Sequence, residues 1–148
     1  MRIAVVCLGN ICRSPMGAAV LRAKLEAAGL GEQVSVSSAG TGDWHVGGPA
    51  DKRARAALRQ RGYDDTHTAR QFVRADFAEH DLVLGMDTAN IRDLRRIAPN
   101  DDVEIRLFDT VDVADPYYGD ARDFDEALDQ IERAADALIA ELRAQLPS

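Results

Sequence analysis

The residues with the clearest capacity for chemistry lie near the amino terminus, in the segment Cys7-Leu8-Gly9-Asn10-Ile11-Cys12-Arg13-Ser14. A cysteine thiolate is a nucleophile, and an arginine can bind two oxygens of a phosphoryl group side by side. Cys7 and Arg13 have the spacing C-x5-R, which combines these two functions around one phosphorus atom. The spacing alone is weak evidence because the chain is rich in arginine, so its meaning depends on the elements that hold the two side chains.

Those elements have the pattern of a parallel α/β fold. The apolar run IAVVCL at residues 3–8 is typical of a strand buried on both faces, and a helical pattern follows from about Pro15 to Ala28, with Gly29 as its stop. Further strands are predicted at residues 34–38, 81–86 and 104–108, further helices at residues 52–61, 87–97 and 123–146, and an ambiguous, partly helical stretch at residues 71–79. Strands alternating with helices predict right-handed βαβ units in a single domain over residues 1–148.

Composition narrows the class of protein. The chain has 148 residues, a net charge of −7 and only two cysteines. The acidic balance disfavours nucleic acid and anionic membranes as partners, and no apolar run approaches the ~20 residues that span a bilayer. No signal sequence precedes the first strand, so we expect a soluble cytoplasmic protein without a disulfide framework, and the sequence leaves open export by a route that needs no signal peptide.

In such folds the ligand crevice lies outside the carboxyl ends of the strands, which is where the C-x5-R segment is placed. A loop that enters a helix directs its free backbone N–H groups at one spot, where the helix dipole adds positive character. We therefore expect the amides of residues 8–14 to bind phosphate or another oxyanion. Gly9 allows the necessary turn, Asn10 tolerates a positive φ, and the Ser14 hydroxyl can hydrogen-bond the Cys7 sulfur. An ordinary buried strand cysteine is the alternative for Cys7.

The second cysteine, Cys12, admits two further interpretations. A metal site is disfavoured because the chain has no third cysteine and the three histidines lack ligand spacing; they are His45, His67 and His80. A reversible disulfide with Cys7 fits better, because an exposed thiolate oxidises readily to a sulfenic acid that a neighbouring thiol can rescue. We assign Cys12 to redox protection of Cys7.

A second candidate segment, Asp115-Pro116-Tyr117-Tyr118, follows the fourth strand. A carboxylic acid above an anion pocket can protonate a departing oxygen and later deprotonate a water. Tyr117 and Tyr118 can form one wall of a slot for an aromatic ring, with Trp44 of the glycine-rich loop at residues 40–49 as the facing wall. The alternatives are a simple Asp-Pro turn and ordinary packing of the three aromatic rings.

The segments CLGNICRSP at residues 7–15 and DPYY at residues 115–118 together resemble the low-molecular-weight protein tyrosine phosphatase family, and the resemblance extends over essentially the whole chain. It implies a three-layer fold with a four-stranded parallel sheet, helices on both faces and a phosphate-binding loop after the first strand. It also implies hydrolysis of phosphotyrosine in proteins by a two-step mechanism without a cofactor, with inorganic phosphate as a competitive ligand.

The resemblance further implies roles for individual residues. Cys7 is the nucleophile, Arg13 clamps the transition state, Ser14 supports the thiolate, and Asp115 acts first as acid and then as base. Asn10 is expected to hold the loop through Ser38 and His67; a histidine without a role is the alternative for His67. Ile11 joins the three aromatic residues in the pocket wall. Asp87 and Asn90 are expected to be structural supports, although helix capping explains Asp87 equally well.

Three rival functions remain beside this one. A thioredoxin-coupled arsenate reductase needs further cysteines, and residues 13–148 contain none. Protein-arginine phosphatases resemble this chain but carry Thr in place of Ile11 and lack the aromatic at Tyr118. A phosphocysteine carrier or phosphate sensor needs no acid for a leaving group, so Asp115 is the residue that discriminates.

Overall fold

The computed structural model describes residues 1–146, and within them the chain forms four strands, four α-helices and one 3-10 helix. In chain order these are β1 (Arg2–Cys7), α1 (Arg13–Ala27), β2 (Ser35–Gly40), α2 (Lys52–Gln60), the 3-10 helix (Arg74–Glu79), β3 (Leu82–Gly85), α3 (Thr88–Ile97), β4 (Ile105–Leu107) and α4 (Ala121–Gln145). Among residues 1–146, no helix is both long enough and apolar enough to cross a bilayer.

The four strands form one sheet in the order β2-β1-β3-β4, and all neighbouring strands are parallel. Alternate side chains of β1 enter two separate cores. Ile3 and Val5 pack with apolar residues of α1, α2 and α4, whereas Ala4 and Val6 pack with residues of α3 and the 3-10 helix. Because helices cover both faces, every position of the strand after Arg2 is buried, and the predicted three-layer fold is confirmed.

Several boundaries differ from the predicted ones for local reasons. β2 continues two residues past its predicted end at residue 38, and so includes the first residue of the expected loop, because Ala39 and Gly40 pair with Val6 and Cys7. The first helix begins at Arg13 instead of Pro15, which places the proline in the first turn, where its missing N–H costs nothing. The last helix begins at Ala121 instead of residue 123.

Capping residues fix most helix ends. Asp51 and Asp87 accept hydrogen bonds from the amides of Arg53 and Asn90 at the starts of α2 and α3. Asp120 caps α4 in the same way. Beyond the ends of α1 and α2, Gly29 and Gly62 adopt φ values of 77° and 80°, the left-handed conformation that ends a helix.

Candidate active site

The C-x5-R loop (residues 7–13) connects the last residue of β1 to the first residue of α1. Its turn is made by Asn10, which has a φ of 57°. The expectation that Gly9 supplies the conformational freedom is wrong, because its φ is not positive. A side-chain carbon at Gly9 would lie 3.3 Å from Cδ2 of His45, a tight contact with an exposed side chain.

Carbonyl groups of this loop accept hydrogen bonds from the segment that follows β2, whereas most of its amides have no partner in the described chain. The amides of Thr41 and Gly42 donate to the carbonyls of Cys7 and Leu8 at 2.9 Å. Gly40 lies so close that a Cβ there would be 2.7 Å from the Leu8 carbonyl oxygen, which only glycine allows. Within the described chain, the N–H groups of residues 9–12 donate to no other residue. They are therefore available to an oxyanion at the amino terminus of α1.

Asn10 is the centre of the polar network that shapes the loop. Its Nδ2 donates to Ser14 Oγ at 2.8 Å and to Ser38 Oγ at 3.2 Å. Its Oδ1 accepts from the Arg70 amide at 2.9 Å, and its carbonyl oxygen lies 2.6 Å from Nε2 of His67. Burial lowers the pKa of His67, so the neutral ring donates this last hydrogen bond. The expected contacts with Ser38 and His67 are present, and the Arg70 contact was not foreseen.

The two cysteines of the loop have different surroundings. Cys7 is buried, and its Sγ lies 2.9 Å from Ser14 Oγ, so the Ser14 hydroxyl can donate to a thiolate. Cys12 is also buried, and both thiols are free. Burial, reinforced by the negative charge of Asp51, raises the pKa of the Cys12 thiol, which therefore stays protonated at neutral pH.

Arg13 connects the C-x5-R loop to Asp87 and Asp115, which follow β3 and β4. It is 2% exposed, and its Nη1 donates to Asp87 Oδ2 at 2.6 Å and to the Val113 carbonyl at 2.8 Å. Its Nη2 lies 3.6 Å from Asp115 Oδ2. Burial opposes the charged form, but the hydrogen bond to Asp87 and the nearby negative groups outweigh it and raise the pKa of Arg13. A permanently charged guanidinium therefore lies next to Asp115, in the cavity that Cys7 also lines.

These groups line a cavity of about 300 Å³. Its lining residues are Cys7, Leu8, Gly9, Ile11, Cys12, Arg13, Trp44, His45, Asp115, Tyr117 and Tyr118. Trp44 is 69% exposed and Tyr118 is 94% exposed, so neither side chain packs in the core. His45 is the lining residue that sequence reasoning missed, and its position beside Trp44 in the glycine-rich loop was the available signal.

The site also contains no obvious place for a metal. Within residues 1–146, no three or more His, Cys, Asp or Glu side chains converge in a way that could hold a metal ion. The two carboxylates that contact Arg13 also have assigned contacts: Asp87 pairs with Arg13, and Asp115 Oδ1 accepts a hydrogen bond from the Tyr117 amide at 3.1 Å. The arrangement is suited to binding an oxyanion through a guanidinium and backbone amides, next to a thiol and a carboxyl group.

Comparisons with known proteins agree with this geometry. The family model described as "Low molecular weight phosphotyrosine protein phosphatase" matches residues 2–148. A low molecular weight protein-tyrosine-phosphatase of Streptomyces coelicolor is 46% identical over 156 residues, covering 98% of this chain and 95% of the relative. A low molecular weight phosphotyrosine protein phosphatase of Sus scrofa is 37% identical, covering 93% of each chain.

Solved structures are similar over nearly the full length. A protein tyrosine phosphatase of Entamoeba histolytica, with Hepes in its active site, has a TM-score of 0.94 at 35% identity and covers 98% of both chains. Vibrio vulnificus Wzb, in complex with benzylphosphonate, has a TM-score of 0.86 at 32% identity and covers 95% of this chain and 97% of Wzb. The chain therefore belongs to the low molecular weight phosphotyrosine protein phosphatase family.

Proposed function

We propose that this phosphatase hydrolyses phosphotyrosine in proteins through a phosphocysteine intermediate, with Cys7 as nucleophile, Arg13 as phosphate clamp and Asp115 as acid and base. The observation that carries the proposal is the convergence of these three side chains on one cavity with an aromatic rim. Family membership supports the reaction class, and the geometry of the described residues supports the roles.

The first step transfers the phosphoryl group to sulfur. The Cys7 thiolate attacks phosphorus in line, the S–P bond forms and the P–O bond to the phenolic oxygen breaks. Arg13 and the free amides of residues 9–12 bind the equatorial oxygens, where charge accumulates in the transition state. Asp115, in its protonated form, gives its proton to the departing phenolate.

The second step restores the enzyme. Asp115, now a carboxylate, takes a proton from a water whose oxygen attacks the phosphorus of the phosphocysteine. The S–P bond breaks, inorganic phosphate is formed, and the thiolate is stabilised by the hydrogen bond from Ser14. Inorganic phosphate binds the same groups and therefore competes with substrate.

The rim supports a phenolic substrate. Tyr117 and Tyr118 lie edge to face, with ring centroids 5.0 Å apart, and the exposed ring of Trp44 lines the same cavity. Apolar walls above a buried guanidinium suit a flat aromatic ring that ends in a phosphate. Tyrosine-phosphorylated proteins are accordingly the proposed partners.

The testing experiment measures steady-state hydrolysis of phosphotyrosine and phosphoarginine peptides of matched sequence by the wild type, Cys7→Ser and Asp115→Asn. We expect a clear preference for phosphotyrosine, no turnover by Cys7→Ser, and loss of the basic limb of the pH–rate profile in Asp115→Asn. A preference for phosphoarginine would replace the substrate assignment. Undiminished turnover by Asp115→Asn would remove the role proposed for Asp115, and a wild type that binds the peptides without turning them over would favour a carrier or phosphate-binding module.

A further inference from the structure

Arg53 of α2 joins two loops that are distant in sequence. Its guanidinium donates to the Tyr117 carbonyl at 2.9 Å from Nη2 and to the Gly119 carbonyl at 2.8 Å from Nη1. Both acceptors belong to the acid loop (residues 115–119), which carries Asp115. Outside this loop the guanidinium lies over the ring of Phe124, with Cζ 4.5 Å from the centroid, and Phe124 is fully buried in α4. One side chain therefore fixes the acid loop to the core.

Through Asp51, Arg53 is also connected to the loop that carries the proposed nucleophile. Nε and Nη2 each donate to one carboxylate oxygen of Asp51 at 3.0 Å, a two-point pair. The backbone amide of Asp51 donates to the Ile11 carbonyl at 2.8 Å, inside the C-x5-R loop. The hydrogen bond to Arg53 is the main cause that lowers the pKa of Asp51, which stays ionised at neutral pH.

A continuous path therefore connects the two reacting groups. It runs from the C-x5-R loop through Asp51 and Arg53 to the backbone of the acid loop, whose Tyr117 amide donates to Asp115 Oδ1 at 3.1 Å. Asp115 is 39% exposed at its side chain and touches Arg13 only at 3.6 Å, so it has few other restraints. Its position depends on the loop that carries it.

We propose that Arg53 is a positioning residue for the general acid: together with Asp51 it holds the acid loop at a fixed distance from the C-x5-R loop, so that Asp115 meets the departing oxygen. This inference rests on the role proposed above for Asp115. Arg53 itself touches no reacting atom, and four of its N–H groups are already engaged by Asp51, Tyr117 and Gly119.

A positioning role has a kinetic signature that a purely structural one lacks. A basic leaving group such as phenolate needs protonation in the transition state, whereas 2,4-dinitrophenolate departs without it. A misplaced acid therefore lowers kcat/KM for phenyl phosphate much more than for 2,4-dinitrophenyl phosphate. The ratio of the two values does not depend on the fraction of protein that is folded.

The experiment measures this ratio for wild type, Arg53→Met, Arg53→Lys and Asp115→Asn. Met keeps an apolar side chain over Phe124 and removes every donor. We expect Arg53→Met to lower kcat/KM about 10- to 100-fold for phenyl phosphate and less than about threefold for 2,4-dinitrophenyl phosphate. Lys retains the charge but reaches fewer of the acceptors, so we expect Arg53→Lys to lower kcat/KM for phenyl phosphate less than Arg53→Met does. In an Asp115→Asn background, Arg53→Met is expected to leave the ratio unchanged.

Arg55→Ala is the matched control, because Arg55 lies on the same helix and pairs with Asp65 at 3.1 Å instead of the acid loop. It is expected to keep the wild-type ratio. A proportional loss on both substrates by Arg53→Met would overturn the inference, provided that Asp115→Asn shows the leaving-group effect. If Asp115→Asn shows none, the proposed role of Asp115 fails first.

Discussion

The buried guanidinium of Arg13 donates from Nη1 to Oδ2 of Asp87 at 2.6 Å, while the other carboxylate oxygen of Asp87 accepts from the Asn90 amide at 2.8 Å. The sequence left two alternatives for Asp87, a helix cap or a structural support for the site. The Asp87 side chain makes both kinds of contact. Asn90 in turn accepts from the amide of Asp87 at 3.1 Å. The start of α3 therefore fixes the orientation of the proposed phosphate clamp.

The first prediction concerns this pair. Asp87→Asn keeps an oxygen that can cap α3, but it removes the negative charge that pairs with Arg13. We expect the free energy of unfolding to fall by about 3 kcal/mol, because breaking a buried pair strands a charge. We also expect kcat/KM to fall, since Arg13 loses its alignment. Urea denaturation and steady-state kinetics measure both.

Asp93→Asn is the control for that prediction. Asp93 lies on the same helix and pairs with the largely exposed Arg96 at 3.4 Å. We therefore expect Asp93→Asn to lower the free energy of unfolding by less than about 0.5 kcal/mol. Similar losses from the two variants would show that the buried pair has no special importance.

The second prediction separates backbone strain from hydrogen bonding at Asn10. Asn10→Ala and Asn10→Gly both lose the side-chain contacts with Ser14, Ser38 and Arg70, but only Gly is free at a φ of 57°. We expect Asn10→Ala to be less stable than Asn10→Gly by about 1 kcal/mol, and both to lose activity as the loop relaxes. Equal stability of the two variants in thermal or urea unfolding would contradict the role of the left-handed turn.

Much of this framework was predictable from the sequence. The apolar runs gave the strands because burial on both faces leaves a continuous pattern, and Asp51, Gly29 and Gly62 marked helix ends by local chemistry. The convergence of Cys7 and Asp115 followed from the rule that parallel strands present their carboxyl ends on one edge.

The rest depended on tertiary contacts. The Arg53 bridge spans 64 residues to Tyr117, and no local pattern indicates which carbonyls an arginine will meet. The choice of Asn10 over Gly9 for the positive φ follows from the hydrogen bonds of the Asn10 side chain, which are formed only after residues 38 and 70 reach it. The position of His45 beside Gly9 is equally nonlocal.

The third prediction concerns pH. Burial lowers the pKa of His67 from its ordinary value of 6.5, and the charge of Arg22 adds to the effect. Below about pH 6.5 the unfolded chain therefore binds a proton that the folded chain resists, so His67 makes the folded state less stable as the pH falls towards the folded pKa. Above that range His67 adds no pH dependence.

The measurement compares the free energy of unfolding of wild type and His67→Gln across this range. Gln retains an N–H donor for the Asn10 carbonyl and cannot titrate. We expect any advantage of the wild type to shrink as the pH falls. A difference that stays constant with pH would contradict the assigned titration.

The fourth prediction concerns oxidation. A sulfenic acid on Cys7 can condense with Cys12: the Cys12 sulfur gives up its proton and attacks, the S–O bond on Cys7 breaks, and water is released as a disulfide forms that added dithiothreitol reverses. After brief exposure to peroxide, wild type should regain most of its starting activity with dithiothreitol, and Cys12→Ser should regain much less. Equal recovery would remove the protective role proposed for Cys12.

The central claim is that the sulfur of Cys7 becomes transiently phosphorylated. Rapid acid quench of Asp115→Asn during turnover of 2,4-dinitrophenyl phosphate, whose leaving group departs without an acid, followed by mass spectrometry of the peptide that contains Cys7, tests it directly. Asp115→Asn lacks the base for the second step, so the intermediate should accumulate, and we expect a phosphoryl group on Cys7. Continued release of inorganic phosphate with no adduct on Cys7 would contradict the account.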